Sequence, residues 1–123
     1  MRDPREVCFL IGEGDVVLWS DASDSPLALP DSRARWEAIW SRRDVLVEIT
    51  HSHPVGPLGF SEEDRTTMQA LRSALGRPLR FSVVAPNGMV ADAGEGELRV
   101  KVEPWWARLL RLSSGMTPGG LSE

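Results

Sequence analysis

Residues 44–50, DVLVEIT, alternate on a two-residue period, with Val45, Val47 and Ile49 on one row and Leu46, Glu48 and Thr50 on the other. That is the period of a strand, and a strand needs a sheet around it. His51 and His53 continue the Val45 row. Beyond them PVGPLGF is a Gly- and Pro-rich loop, and Ser61 stands where it caps a helix on which Met68, Leu71 and Leu75 recur, ending at Gly76. The rest of the chain is arranged around a strand that carries two histidines into a loop and a capped helix.

Glu6–Ile11 reads as a buried strand, GEGD as a turn and VVLWS as its hairpin partner. DASDSPLALPDS is a loop, after which Asp31 or Ser32 caps a helix with Trp36, Ile39 and Trp40 on one face, ending near Arg43. LRFSVVA is a further strand; Pro86-Asn87-Gly88 turns into MVADA, and Leu98, Val100 and Val102 alternate in a last strand. Pro104 opens a third helix, PWWARLLRL. The expectation is one α/β (α+β) domain over residues 1–112, a mixed, mostly antiparallel sheet with flanking helices, followed by a frayed tail, 113–123.

A chain of 123 residues, 41% hydrophobic and 26% charged, suits a single globular domain. Its net charge of −4, with no run of Lys or Arg longer than two, argues against a nucleic-acid surface. RDPREV lacks the apolar core of a signal peptide and no apolar run reaches membrane-spanning length, so a cytoplasmic protein away from membranes is expected. The single cysteine, Cys8, has no disulfide partner within the chain and reads as a buried strand residue.

Both histidines of the chain lie in His51-Ser52-His53. Side chains two apart on a strand point the same way, so the two imidazoles converge, a geometry that suits Zn²⁺. Asp64 lies in the first turn after Ser61, where the helix dipole keeps a carboxylate ionised and ready to act as third ligand. Two His and one Asp leave a fourth tetrahedral position open, the mark of a catalytic rather than a structural ion. Such an ion lowers the pKa of water from about 15.7 to about 7. The chemistry then needs a general base and a donor facing the developing oxyanion, for which Ser61 is placed. A plainer alternative treats Ser61 and Asp64 as a capping box that contributes about 1 kcal/mol and no chemistry.

His51-Ser52-His53-Pro54, then seven residues, then Ser61-x-x-Asp64, resembles the metal-binding signature of the JAMM (JAB1/MPN/Mov34) metalloprotease family, short prokaryotic type. The resemblance implies an MPN/JAB-like, cytidine-deaminase-like fold and one zinc ion bound by His51, His53 and Asp64, with Ser61 supporting the tetrahedral intermediate. It also implies hydrolysis after the C-terminal glycine of a ubiquitin-like or sulfur-carrier protein, by water activated by an upstream glutamate. Four glutamates precede the histidines. Glu48 shares their strand but lies on its opposite face, Glu13 sits in a turn and Glu37 on the polar side of a helix. PREVCFLIG is similar to the stretch that carries the glutamate in short bacterial members, which points to Glu6 as general base, with Phe9 standing where a glycine is common.

Trp105, Trp106, Leu109, Leu110 and Leu112 give the last helix a broad apolar arc, packed on the domain's own sheet or used as a dimer surface through Trp105, Trp106 and Leu109. Arg108 and Arg111 are expected to face solvent. Other readings are a catalytically silent zinc scaffold that binds a ubiquitin-like partner, a metal hydrolase with a different substrate, and a capped helix with incidental histidines.

Overall fold

The first two apolar segments close into a hairpin in the computed structural model, which describes residues 3–116. β1 (Val7–Gly12) and β2 (Val16–Ala22) pair antiparallel from Val7↔Ala22 to Gly12↔Val16. Gly14 and Asp15 turn the chain between them at φ of 73° and 61°, a conformation easy for glycine and tolerated by aspartate. There follow α1 (Arg33–Ser41), β3 (Leu46–Ser52), α2 (Glu62–Leu75), β4 (Arg80–Ala85), β5 (Gly88–Asp92), β6 (Glu97–Arg99) and α3 (Trp105–Ser113). The six strands form one sheet in the order β2-β1-β3-β4-β5-β6. Only β3 and β4 pair parallel, because α2 crosses between them; every other pairing is antiparallel.

The two-residue period of β1 sends Cys8 and Leu10 to one face of the sheet and Val7, Phe9 and Ile11 to the other. On the first face they meet Ala38 and Ile39 of α1 and Met68 and Leu71 of α2, with Ile49 and Phe81 from the sheet. On the second they meet Trp106, Ala107 and Leu110 of α3, with Val84 and Met89. The sheet is thus the middle of three layers. Side chains as fully enclosed as Leu10 and Leu110 each contribute about 1.5–3 kcal/mol.

The Val45–Val47–Ile49 row does not form as expected. Ile11 pairs with Glu48 and Gly12 with Leu46, so Val47 is the extra residue of a β-bulge. Leu46 is buried, while Val45 and Val47 are exposed. Beyond the bulge the alternation resumes, and Ile49 and His51 stand beside Leu10 and Cys8.

Other differences have similar non-local causes. Ser32, not Asp31, caps α1 by accepting from Arg35 N–H at 3.1 Å. Ala38 and Ile39 are the buried residues of α1, and Trp36 and Trp40 stack on each other at its exposed face. β6 stops at Arg99 rather than running through Val102, and Leu98 and Val102 are exposed. Of the tryptophans assigned to a dimer surface, Trp106 is wholly enclosed and donates through Nε1 to Asp15 Oδ1 at 3.0 Å, whereas Trp105 and Leu109 are exposed. Arg111 is not a solvent residue. It is buried, its guanidinium donating to the carbonyls of Ala85 and Gly88 and, twice, to the Glu103 carboxylate. Ser114 and Met116 are buried where the composition pointed to a free tail, and residues 117–123 lie outside the described residues.

Candidate metal centre

The antiparallel register brings the start of β1 against the end of β3, with Cys8 opposite His51. Glu6 immediately precedes β1 and, two residues from Cys8, faces the same side as His51. Its backbone is fixed at both ends, since Glu6 N–H donates to Ser25 O and Glu6 C=O accepts from Ser23 N–H, each at 2.9 Å. The carboxylate of Glu6 and the ring nitrogens of His51 and His53 offer ligand atoms that all lie within 4.8 Å of one another.

β3 delivers both imidazoles to one point, with the two Nε2 atoms 3.1 Å apart. His53 Nδ1 lies 3.0 Å from Pro57 O in the loop that follows. An Nδ1–H donated to that carbonyl leaves the neutral ring with its lone pair at Nε2, the usual second contact of a metal-binding histidine. The loop is held down by Glu97 of β6, whose Oε1 accepts from Phe60 N–H at 3.3 Å and from Arg65 at 2.9 Å. Gly59, at φ of 135°, lies beside that carboxylate, where a side chain would be strained.

α2 begins with a complete capping box: Asp64 N–H donates to Ser61 Oγ at 3.0 Å, and Ser61 N–H donates to Asp64 Oδ2 at 2.8 Å. The same carboxylate faces the histidines, with Oδ1 3.3 Å from His51 Nε2 and Oδ2 3.4 Å from His53 Nε2. The cap and the cluster are therefore one structure, and the capping reading of Ser61 and Asp64 does not compete with the metal reading.

Burial pushes the Glu6 carboxyl above the usual glutamate range, although His51 and His53 pull it back. Asp64 behaves in the opposite way: burial works to raise it, but the two histidines, when protonated at Nε2, outweigh this and hold it well below the usual aspartate range. His53 is raised, because its bonds to Asp64 and Pro57 O prevail over burial.

The spacing can be compared with what an ion requires. A tetrahedral set with bonds of about 2.0–2.1 Å places its donor atoms roughly 3.3–3.4 Å apart. His51 Nε2 and His53 Nε2 stand 3.1 Å apart, and each lies at a similar distance from its own oxygen of the Asp64 carboxylate, 3.3 Å from Oδ1 and 3.4 Å from Oδ2 respectively. Two imidazoles and a carboxylate are also a donor set that zinc accepts. The residues fit the group.

The remaining glutamates lie elsewhere. Glu13 follows Gly12, which pairs with Leu46 at the far end of β3 from the histidines. Glu37 is exposed and bonded to Arg33 at 2.9 Å. Glu48 is buried on the opposite face against Ser82 Oγ at 2.6 Å and Arg80 at 3.2 Å. Three contributors escaped sequence reasoning, namely Pro57, Glu97 and Ser52, whose Oγ accepts from Val7 N–H at 2.9 Å. Only Ser52 left a trace, its two-residue period placing it on the face away from the ligands.

A mixed sheet between helical layers, with a His/His/carboxylate cluster at the junction of its first and third strands, defines an α+β domain able to hold a metal ion. The chain belongs to the prokaryotic homologs of the JAB domain, whose family model matches residues 1–100. No curated protein matches the chain. Cys8, also as expected, is buried, and burial pushes its thiol up to about 12. No helix among the described residues is long and apolar enough to cross a membrane.

Proposed function

We propose that this domain is a zinc-dependent peptidase or isopeptidase that hydrolyses the bond after the C-terminal glycine of a ubiquitin-like or sulfur-carrier protein. Family membership supports this reading, and one observation carries it: the Glu6 carboxylate lies within 4.8 Å of the ring nitrogens of both histidines. His51, His53 and Asp64 would hold the ion. Zinc bound there supplies a Lewis acid that polarises the scissile carbonyl and makes water acidic enough to attack at neutral pH.

Glu6 takes the proton from the attacking water as the new C–O bond forms. It then returns that proton to the departing amine nitrogen as the C–N bond breaks, so one carboxyl serves as base and then as acid. Its raised affinity for a proton, caused by burial, suits the second half of this cycle. Ser61 Oγ accepts the Asp64 N–H, which leaves the hydroxyl hydrogen free to be donated to the developing oxyanion. Pro57 O orients His53, and Ser61 N–H orients Asp64.

The test is to incubate the zinc-loaded chain and Glu6→Gln with fusions that carry ubiquitin-like or sulfur-carrier C-terminal tails, with and without a chelator. Cleavage after glycine that is abolished by chelation and by Glu6→Gln is expected. Full activity in Glu6→Gln would remove the role given to Glu6. Stoichiometric zinc without cleavage of any fusion would favour a silent scaffold that binds such a partner.

A further inference from the structure

Ser52, between the two histidines, is fully buried and belongs to the sheet face opposite them. The β1–β3 ladder runs from Gly12↔Leu46 to Cys8↔His51 and goes no further. β3 nevertheless continues against β4 through Ser52↔Val84, and His53 N–H donates to Val84 O at 2.9 Å. The two strands therefore part company at the level of the metal cluster. In the gap the next β1 donor, Val7 N–H, is taken by the Ser52 hydroxyl at 2.9 Å, a bond across 45 residues.

The peptide unit held by that bond joins Glu6 to Val7. On its other side Glu6 is held by Ser23 and Ser25. Glu6 is thus gripped between the 23–25 loop and the back of β3. A buried N–H has no water to turn to if its partner is lost, so the Ser52 bond has no cheap substitute.

We propose that Ser52 is a positioning residue for Glu6: by bridging the diverging strands it sets how far the Glu6 carboxylate stands from His51 and His53. The inference rests on the reading of Glu6 as general base. Misplacing a reacting group by about 1 Å can cost on the order of 10²-fold in rate, so a hydroxyl that never touches substrate still governs turnover.

The experiment compares wild type, Ser52→Ala and Ser52→Thr, the last keeping the hydroxyl. Amide hydrogen exchange is followed in the metal-free protein, and kcat and KM are measured for the zinc-loaded protein on a fusion that wild type cleaves. In Ser52→Ala, exchange at Val7 and Glu6 should accelerate about tenfold or more while Leu10 and Ile49 keep their protection. kcat should fall about tenfold or more with KM within about twofold, and Ser52→Thr should restore both readouts. Wild-type exchange at Glu6 in Ser52→Ala overturns the proposal, as does a wild-type kcat. If wild type cleaves no fusion, the reading of Glu6 as base fails separately, and exchange at Glu6 still decides whether Ser52 holds it in place.

Discussion

Ser61 and Asp64 bond each other twice, backbone to side chain in both directions, at 3.0 and 2.8 Å, and the Asp64 carboxylate so held lies 3.3 and 3.4 Å from the two histidine Nε2 atoms. A helix cap thereby sets the aim of the carboxylate proposed as the third metal ligand. Ser61→Ala should lose about 1 kcal/mol of stability through the cap and, separately, about 10²- to 10³-fold in turnover through the oxyanion donor. Thermal denaturation reads the first and kcat the second. A stability loss with unchanged kcat would confine Ser61 to capping.

Glu6 and His53 should fail in different ways. His53→Ala removes a donor atom and should abolish stoichiometric zinc, measured by elemental analysis of purified protein. Glu6→Gln should retain zinc and lose about 10²- to 10⁴-fold in kcat. Zinc loss in Glu6→Gln would make Glu6 a ligand rather than a base.

Ligand binding to the folded state alone raises stability by about 2.7 kcal/mol at a hundredfold excess over Kd. The melting temperature of metal-free protein should therefore climb with added zinc and fall again with chelator. His51→Ala and Asp64→Asn should melt independently of zinc, and an undiminished zinc response in either would remove that residue from the ligand set.

Glu103 is held below the usual glutamate range, chiefly by its hydrogen bonds to buried Arg111, at 2.6 and 2.9 Å. A carboxyl with a lowered folded-state pKa contributes stability above its unfolded value of about 4.5 and loses it as pH falls through the folded one. Glu103→Gln leaves Arg111 buried without its counter-charge, at a cost of about 3 kcal/mol near neutral pH. Urea titrations at neutral pH and in acid below pH 4.5 should show the gap between variant and wild type closing as the medium becomes more acidic.

Trp105 and Trp106 are neighbours with opposite fates. Trp106→Ala opens a cavity under α3, which should cost about 3–5 kcal/mol. Trp105→Ala removes an exposed ring whose Nε1 reaches Asp15 O at 2.9 Å and should cost about 1 kcal/mol or less. Chemical denaturation of the pair checks the assignment.

Local pattern was enough, in the sequence alone, to place β1 to β5, the Ser61 cap with Gly76 closing its helix, and the shared face of His51 and His53, because side-chain period and capping chemistry act within a few residues. Tertiary structure decided which glutamate joins the cluster. Glu6 and Glu13 flank the same strand, and only the antiparallel register, with Cys8 against His51 and Gly12 against Leu46, puts one at the histidines and the other at the far end. Tertiary structure also decided the Val47 bulge, the burial of Arg111 and the bond from Val7 to Ser52. Each depends on pairing between residues distant in the chain, and no pattern within one segment encodes its partner's register.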